Sequence, residues 1–361
     1  MSHFMSRRVF LRSSFAATVV CAAPERVFAA TEVTRKLTGP FVHENLAIWL
    51  VHGPSAPGPV PLTLGEAMAK GKTHVYETGT VSELSIENAG DEEVFVQAGD
   101  IVKGGKQDRV LTVSLILPPK SGKMPIASYC VEQGRWTARG REDAGRFASS
   151  AAALPSREAK LAMKVAAVAE PAAPTGPGAS ANARAAPRTA PSAQGKVWET
   201  VAKTQERLAR SVGAPVAAAQ SATSMQLTLE NDKLKATQAD YAKALAGKGE
   251  AQGDVVGFVF AINGKINSAD LYPSNGLFRK MWRKNLDASV TEALAAKGEG
   301  AGEPPAAEAV LAFLDNAEKG TTSECEITQT VSLETREAPG NFMFETRGKK
   351  GGFMHRNYLA K

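Results

Sequence analysis

The sequence predicts an α+β protein, with a strand-rich N-terminal module followed by a part in which helices and strands mix. Three observations predict it. Between Thr80 and Glu87, Leu84 and Ile86 alternate with Ser85 and Glu87, the period of a half-buried strand. Asp254 to Ile262 is a continuous apolar run closed by Asn263-Gly264, a dipeptide suited to a two-residue hairpin. Leu277, Met281, Leu286, Val290 and Leu294 recur at helical spacing and would turn one face to a core.

Taken in order, residues 41–52 read as a strand, and Leu62 to Gly71 as a short helix started by Thr63 and stopped by glycine. His74 to Leu117 is strand-like throughout. Asn88-Ala89-Gly90-Asp91 turns the chain, Glu93 to Gln97 resumes a strand, and Val110 to Leu117 is a further strand closed by Pro118-Pro119. Residues 38–147 thus form the strand-rich N-terminal part. From 148 to 195 the composition shifts to Ala, Pro, Ser and Gly, too poor in large apolar side chains to offset chain entropy, and 148–195 is expected to be a disordered insertion, 169–195 above all. Residues 196–361 form the mixed C-terminal part. It holds helices over Lys196–Val212, Leu227–Leu245, Leu277–Leu294 and Ala306–Ala317, a return strand over Lys265–Leu271, and strands near 326–335 and 341–346.

The first 29 residues read as a twin-arginine export signal. Arg7 and Arg8 precede Phe10 and Leu11, an apolar stretch follows from about Phe15 to Ala23, and small residues lead to cleavage after Ala29. That stretch falls well short of the ~20 apolar residues needed to span a bilayer, so the mature chain is expected to carry no transmembrane segment. The partner implied is the twin-arginine export machinery, and the destination is the periplasm or the exterior. Cys21 follows Val20, where lipidation requires a small residue, and is expected to leave with the signal. Cleavage removes four arginines and one glutamate, lowering the net charge from +6 to +3. With so modest a charge and scattered basic residues, nucleic acid is not an expected partner. Cys130 and Cys325 would remain in an oxidising compartment, and their spacing leaves a disulfide open.

The chemistry concentrates at Gly104-Gly105-Lys106-Gln107-Asp108-Arg109 and Cys130-Val131-Glu132-Gln133-Gly134-Arg135-Trp136. Apolar strands rarely carry so many polar groups without a ligand or a dense network to satisfy them. The glycines could shape a turn whose N–H groups, with Lys106 and Arg109, hold an anion, or simply a bulge between strands. The order of residues is not that of a phosphate-binding loop preceding a helix. Arg109 and Arg135 suit bidentate recognition of carboxylate or phosphate, or pairing with Asp100, Asp108 or Glu132 in a structural network. Glu132 would need a raised pKa to act as a general base, and neighbouring arginines act the other way. Cys130 is a nucleophile if Arg135 stabilises its thiolate, and core filler otherwise. Trp136 is a stacking platform or a lid, and Trp198 and Trp282 are expected in the core. His43, His52, His74 and His355 are dispersed, so no metal site is expected.

These motifs, together with Asn45-Leu46, Leu62-Thr63-Leu64-Gly65-Glu66-Ala67, Gly99-Asp100, Trp198, the strand around Gly257 and Leu277-Phe278-Arg279-Lys280-Met281-Trp282, resemble the ARPP domain family, a domain associated with ADP-ribosylglycohydrolases and the rhodanese-phosphatase superfamily. The resemblance spans nearly all of the mature chain except the Ala/Pro-rich stretch. It implies a nucleotide-derived ligand as a family-level suggestion, without a reaction or a cofactor. The leading expectation is an exported protein binding a small anionic or polar ligand through Lys106, Gln107, Asp108, Arg109, Glu132, Arg135 and Trp136. Two alternatives stand beside it: a hydrolase of phosphate or glycosyl bonds using Glu132 or Asp108, and a structural or partner-binding module of the cell envelope.

Overall fold

The computed structural model describes residues 35–169, 191–300, 302–348 and 352–361. The expected signal, with Arg7, Arg8, Phe10, Leu11 and Ala29, and residues 170–190 of the expected insertion lie outside the described residues. Arg35–Lys361 is one compact unit, and its mixture of helix and strand is α+β.

The chain begins with β1 (Lys36–His43) and β2 (Leu46–His52), then β3 (Leu62–Thr63), α1 (Leu64–Ala69), β4 (Thr73–Thr80), β5 (Glu83–Asn88), β6 (Val94–Val96), β7 (Asp100–Gly104), β8 (Arg109–Leu111), β9 (Leu115–Leu117), β10 (Gly122–Cys130) and β11 (Arg146–Ala153). Four helices follow: α2 (Arg157–Ala169), α3 (Pro191–Val212), α4 (Met225–Leu229) and α5 (Asp232–Glu250). The remainder is β12 (Val255–Ile262), β13 (Lys265–Leu271), α6 (Asn275–Ala295), α7 (Ala307–Glu318), β14 (Thr321–Thr328), β15 (Val331–Glu337), β16 (Asn341–Gly348) and β17 (Phe353–Ala360).

Three sheets result. Eight antiparallel strands run in the order β1-β2-β12-β13-β17-β16-β15-β14, six strands close into a barrel in the order β10-β5-β4-β11-β7-β8, and β3, β6 and β9 form a small third sheet. The N-terminal and C-terminal parts of the chain are therefore interleaved, because β2 pairs with β12 along its length, with Ile48 opposite Phe260 and Leu50 opposite Phe258. Both strands are buried on both faces, which is why each reads as an unbroken apolar run. On one face Leu46, Ile48, Leu50, Phe258 and Phe260 pack against α3, α5 and α6. On the other, Trp49, Val51, Val259 and Ala261 meet Val310, Leu314 and Ala317 of α7. The barrel interior is a further apolar cluster that includes Val75, Leu84, Ile86, Val102 and Leu111.

Several expected elements divide. Residues 41–52 are a hairpin rather than one strand, turning at Glu44, whose φ is 52°. Val110–Leu117 is two strands in different sheets, with Thr112 to Ser114 crossing between them. The expected helix over 227–245 is α4 and α5, separated because Asn231 caps α5 by accepting from the N–H groups of Lys233 and Leu234. Strand near 326–335 is a hairpin, and β17 was not expected. Within the Ala/Pro-rich stretch, Ala148–Ala153 completes β11, Arg157–Ala169 is α2, and α3 begins at Pro191, so small-residue composition there does not prevent regular structure. Serine and alanine fit the barrel wall, where Phe147 opposite Gly104 supplies the bulk. Helix α1 starts as expected, since Thr63 and Glu66 bond reciprocally to each other's backbone N–H.

Close approach of α5 to α6 depends on Gly249. A Cβ there would lie 2.3 Å from the Trp282 ring, which is anchored by its indole N–H to the Ala246 carbonyl at 2.7 Å. Gly249→Ala is expected to cost about 1–3 kcal/mol through overpacking, read as a lower urea midpoint at unchanged slope. An unchanged midpoint would show that the helices separate freely.

Candidate functional site

The polar motif sits where β7 turns into β8 at one end of the barrel, with β10 alongside. Val102 lies opposite Arg109, and Arg109 opposite Cys130, so the register puts the motif's two halves side by side. The turn needs its glycines. Gly104 and Gly105 have φ of 111° and 54°, and a Cβ on Gly105 would strike the Phe147 ring at 2.3 Å. The Asp108 carboxylate closes the turn by accepting from the Gly104 N–H at 2.9 Å.

Asp108 and Glu132 are both fully buried carboxylates, and each is saturated with donors. Asp108 receives a bidentate pair from Arg139 at 2.9 and 3.1 Å and the Ser224 hydroxyl at 2.7 Å. Glu132 receives the Asp108 N–H at 2.9 Å and Arg135 Nε at 2.7 Å. Burial would raise the Glu132 pKa, but hydrogen bonds from Arg135, Ser221 and the Asp108 N–H outweigh it and hold the carboxyl below its ordinary value. Arg135 also donates to the carbonyls of Gly104 and Gly105 at 3.1 Å each, so it ties the glycine turn to Glu132. Gln107 bridges the Glu132 carbonyl, to which it donates at 3.0 Å, and Arg109, from which it accepts at 3.1 Å.

Arg109 is different. Its guanidinium is buried against the Cys130 thiol and Glu77, whose carboxylate stands 3.6 Å from Nη2. Trp136, 43% exposed, covers it with the ring centroid 5.6 Å from Arg109 Cζ, and Lys106 Nζ lies 5.2 Å from the same ring. Burial pushes the Cys130 thiol up to about 11 although Arg109 pulls the other way, so it is protonated at neutral pH and a poor nucleophile. Cys130 and Cys325 are both free thiols.

All seven residues expected at the site are thus brought to one end of the barrel, but in two groups. Gln107, Asp108, Glu132 and Arg135 are interlocked, whereas Arg109 is buried beneath Trp136, on whose ring Lys106 also lies. Of the partners considered for the arginines, Glu132 takes Arg135 and Asp108 stands 3.7 Å from the same guanidinium, while Arg109 faces Glu77 and Asp100 pairs instead with Lys284 at 2.7 Å. Sequence reading missed Arg139, Ser224, Glu77 and Gln194, the last of which hydrogen-bonds both the N–H and the C=O of Cys130 at 2.9 Å. Only Arg139 left a signal, as a further basic residue in the loop after the motif.

It also missed a buried polar chain that makes His355 part of a constellation. His355 Nδ1 lies 2.9 Å from the Ser114 hydroxyl and Nε2 3.0 Å from Asp270, which accepts from Asn357 at 2.9 Å, while Lys164 donates to Asn357 at 2.8 Å. The order of hydroxyl, imidazole and carboxylate is that of a nucleophilic triad. The adjoining cavity is only about 10 Å³, room for a single water, and the chain ties the crossing between β8 and β9 to β13, β17 and α2. Burial drives the Lys164 ammonium down to about 7 against the pull of Asp270, and it lowers His355 as well.

Among the described residues, no group of His, Cys, Asp and Glu is arranged to hold a metal ion, and no helix is long and apolar enough to cross a membrane.

The fold and site define a class: an α+β protein in which a six-stranded barrel ends in a polar turn braced from the helical layer. This chain belongs to the ARPP-1 family, the ARG and Rhodanese-Phosphatase-superfamily-associated Protein domain, which it matches over residues 34–358. No curated protein and no solved structure matches it.

Removing Arg139 takes from buried Asp108 its bidentate partner and from Glu132 a contact at 3.4 Å. Arg139→Ala is expected to cost about 3–5 kcal/mol in urea denaturation. A loss below about 1 kcal/mol would mean that Asp108 and Glu132 do not depend on this brace.

Proposed function

We propose that the chain binds a small anionic ligand at the face formed by Lys106, Arg109 and Trp136. The observation that carries this reading is the Arg109 guanidinium, fully buried yet with no hydrogen-bond partner on Nε or Nη2 among the described residues. Those two N–H groups lie on one edge of the guanidinium, the edge that takes a carboxylate or phosphate side-on. Glu77 compensates the charge from beyond hydrogen-bond reach, its oxygens already accepting from the N–H groups of Gly79 at 2.9 Å and Lys106 at 3.3 Å. A ligand oxyanion would satisfy the free edge, and Lys106 would add a second positive charge. Trp136 belongs to the irregular loop between β10 and β11, and its indole must swing aside to admit the ligand, then serve as a platform for any planar part of it.

Gln107, Asp108, Glu132 and Arg135 hold this face in place and need not touch the ligand. The hydrolase alternative loses support, because a general acid needs a raised pKa and Glu132 is shifted the other way. The structural alternative draws on the closure of Asp108 by Arg139 and Ser224.

A thermal-shift series with nucleoside monophosphates, sugar phosphates and dicarboxylates tests the reading. A ligand at a hundred times its Kd is expected to stabilise the wild type by about 2.7 kcal/mol. Lys106→Ala/Trp136→Ala, at one half-buried and one exposed position, is expected to abolish that gain without lowering the ligand-free midpoint. If no compound stabilises the wild type, or the double variant gains equally, the motif only locks a turn and the structural alternative takes its place.

We also propose that the chain is exported through the twin-arginine machinery and works in the periplasm or outside the cell. The support is the order Arg7, Arg8, Phe10, Leu11 before a short apolar stretch and Ala29. Arg7→Lys/Arg8→Lys is expected to leave an uncleaved precursor in the cytoplasm of a bacterial host. Unchanged cleavage and export would overturn this assignment.

A further inference from the structure

We propose a second ligand site, distinct from the Arg109 face, in the cleft where the N-terminus of α2, the middle of α3, the β12–β13 turn and the C-terminal end of α6 meet, and we assign it a small polyhydroxylated anion, a hydroxycarboxylate or a sugar phosphate. The cleft has a volume of about 360 Å³, at the lower end of the range that holds small metabolites. Its walls carry cations from three elements: Arg157 on α2, Lys203 on α3 and Lys265 on β13. Amides stand between them. Asn267 and Asn263 line the cleft, and Asn263 already donates to the Ala296 carbonyl at 2.9 Å, which fixes its orientation.

Arg157 Nε has no hydrogen-bond partner among the described residues and is shielded from solvent, so the guanidinium must turn to offer that N–H to a ligand. Arg157 and Lys265 favour a ligand that carries negative charge, and the amides of Asn263 and Asn267 favour one with hydroxyls. A purely apolar guest would leave this polar lining without partners. Glu292 defines the floor. Its Oε1 accepts from the Arg157 N–H at 3.1 Å and Asn267 Nδ2 at 2.9 Å, so it caps α2 as well as facing the cleft.

Burial raises the Glu292 pKa, although Lys160, Asn267 and Arg157 act to lower it. The charged groups around it are Arg157, Glu158 and Lys160 on α2, Lys203 and Arg207 on α3, Lys265 on β13, and Glu299 beyond α6, which pairs with Arg207 at 3.1 Å. When Glu292 is protonated the cleft is more positive and its carboxyl can donate to a ligand oxygen. When it ionises it repels an anion. Affinity for an anion therefore falls as pH rises through the Glu292 pKa.

The test is calorimetric titration of the purified protein with tartrate and, separately, ribose 5-phosphate, across about pH 5 to about pH 8. At least one probe is expected to bind at millimolar concentration or below, and the two arms separate a carboxylate from a phosphate. Arg157→Ala/Lys265→Ala is expected to weaken binding at least about tenfold, with its unfolding midpoint checked in parallel. Glu292→Gln keeps an oxygen to cap α2 and is expected to bind with a flatter pH profile than the wild type. The titrations are repeated in Lys106→Ala/Trp136→Ala, which disables the Arg109 face, and the binding that Arg157→Ala/Lys265→Ala weakens is expected to persist there. Failure of both probes to bind, an unchanged Kd in Arg157→Ala/Lys265→Ala, or no binding left in Lys106→Ala/Trp136→Ala would overturn the proposal.

Discussion

Two carboxylates buried at one end of a barrel set the terms for everything around them. Asp108 and Glu132 have no solvent to satisfy them, so each neighbouring element must deliver donors. The β7–β8 turn supplies the Gly104 N–H and the Asp108 N–H, the loop after β10 supplies Arg135 and Arg139, and the start of α4 supplies Ser224. Ser224 also caps α4 by accepting from the Leu227 N–H at 3.0 Å, so one hydroxyl ties a helix start to the barrel. The loop that carries Trp136 has little regular structure of its own. It is placed by these charge-assisted bonds rather than by a sheet ladder.

The brace separates two jobs that a list of motif residues runs together. The interlocked groups hold the turn, and their lone pairs and N–H groups are committed to one another. Arg109 is held in position by Gln107 and Cys130 but is not saturated, and that imbalance distinguishes a residue with chemistry left over from one that only supports. Room for a guest separates the two other polar clusters. The chain from Lys164 to Ser114 adjoins a cavity too small for more than a water, whereas the cleft at Glu292 is open and holds about 360 Å³. Neither cluster is contiguous in sequence. Asp270, His355 and Lys164 come from β13, β17 and α2, and Arg157, Lys203 and Lys265 come from α2, α3 and β13.

Much of the element pattern was legible because it depends on local periodicity. The apolar runs of β2 and β12, the Asn263-Gly264 turn, the Thr63 cap and the stripe of α6 all follow from spacing of two, of about four, or from a single capping side chain. Where one run of strand-forming residues serves two sheets, as at Val110–Leu117, periodicity cannot show the crossing, because each half is buried and both look alike. The alanine-rich stretch misled for a related reason. Low apolar content suggests disorder when a segment stands alone, but Ala148–Ala153 gains its stability from pairing in the barrel, and Ala159 and Met163 of α2 from burial against the core.

By itself, the sequence determined the α+β class, the place of the polar turn and the seven residues around it, since glycine needed for positive φ and side chains adjacent along two strands are local properties. Only the tertiary structure decided what those residues do. Whether an arginine is spent on Asp108 or left with a bare edge depends on Arg139, Ser224 and Glu77, which arrive from other parts of the chain. Hydrogen-bond saturation is a count over neighbours in space, and distance along the chain carries no record of it.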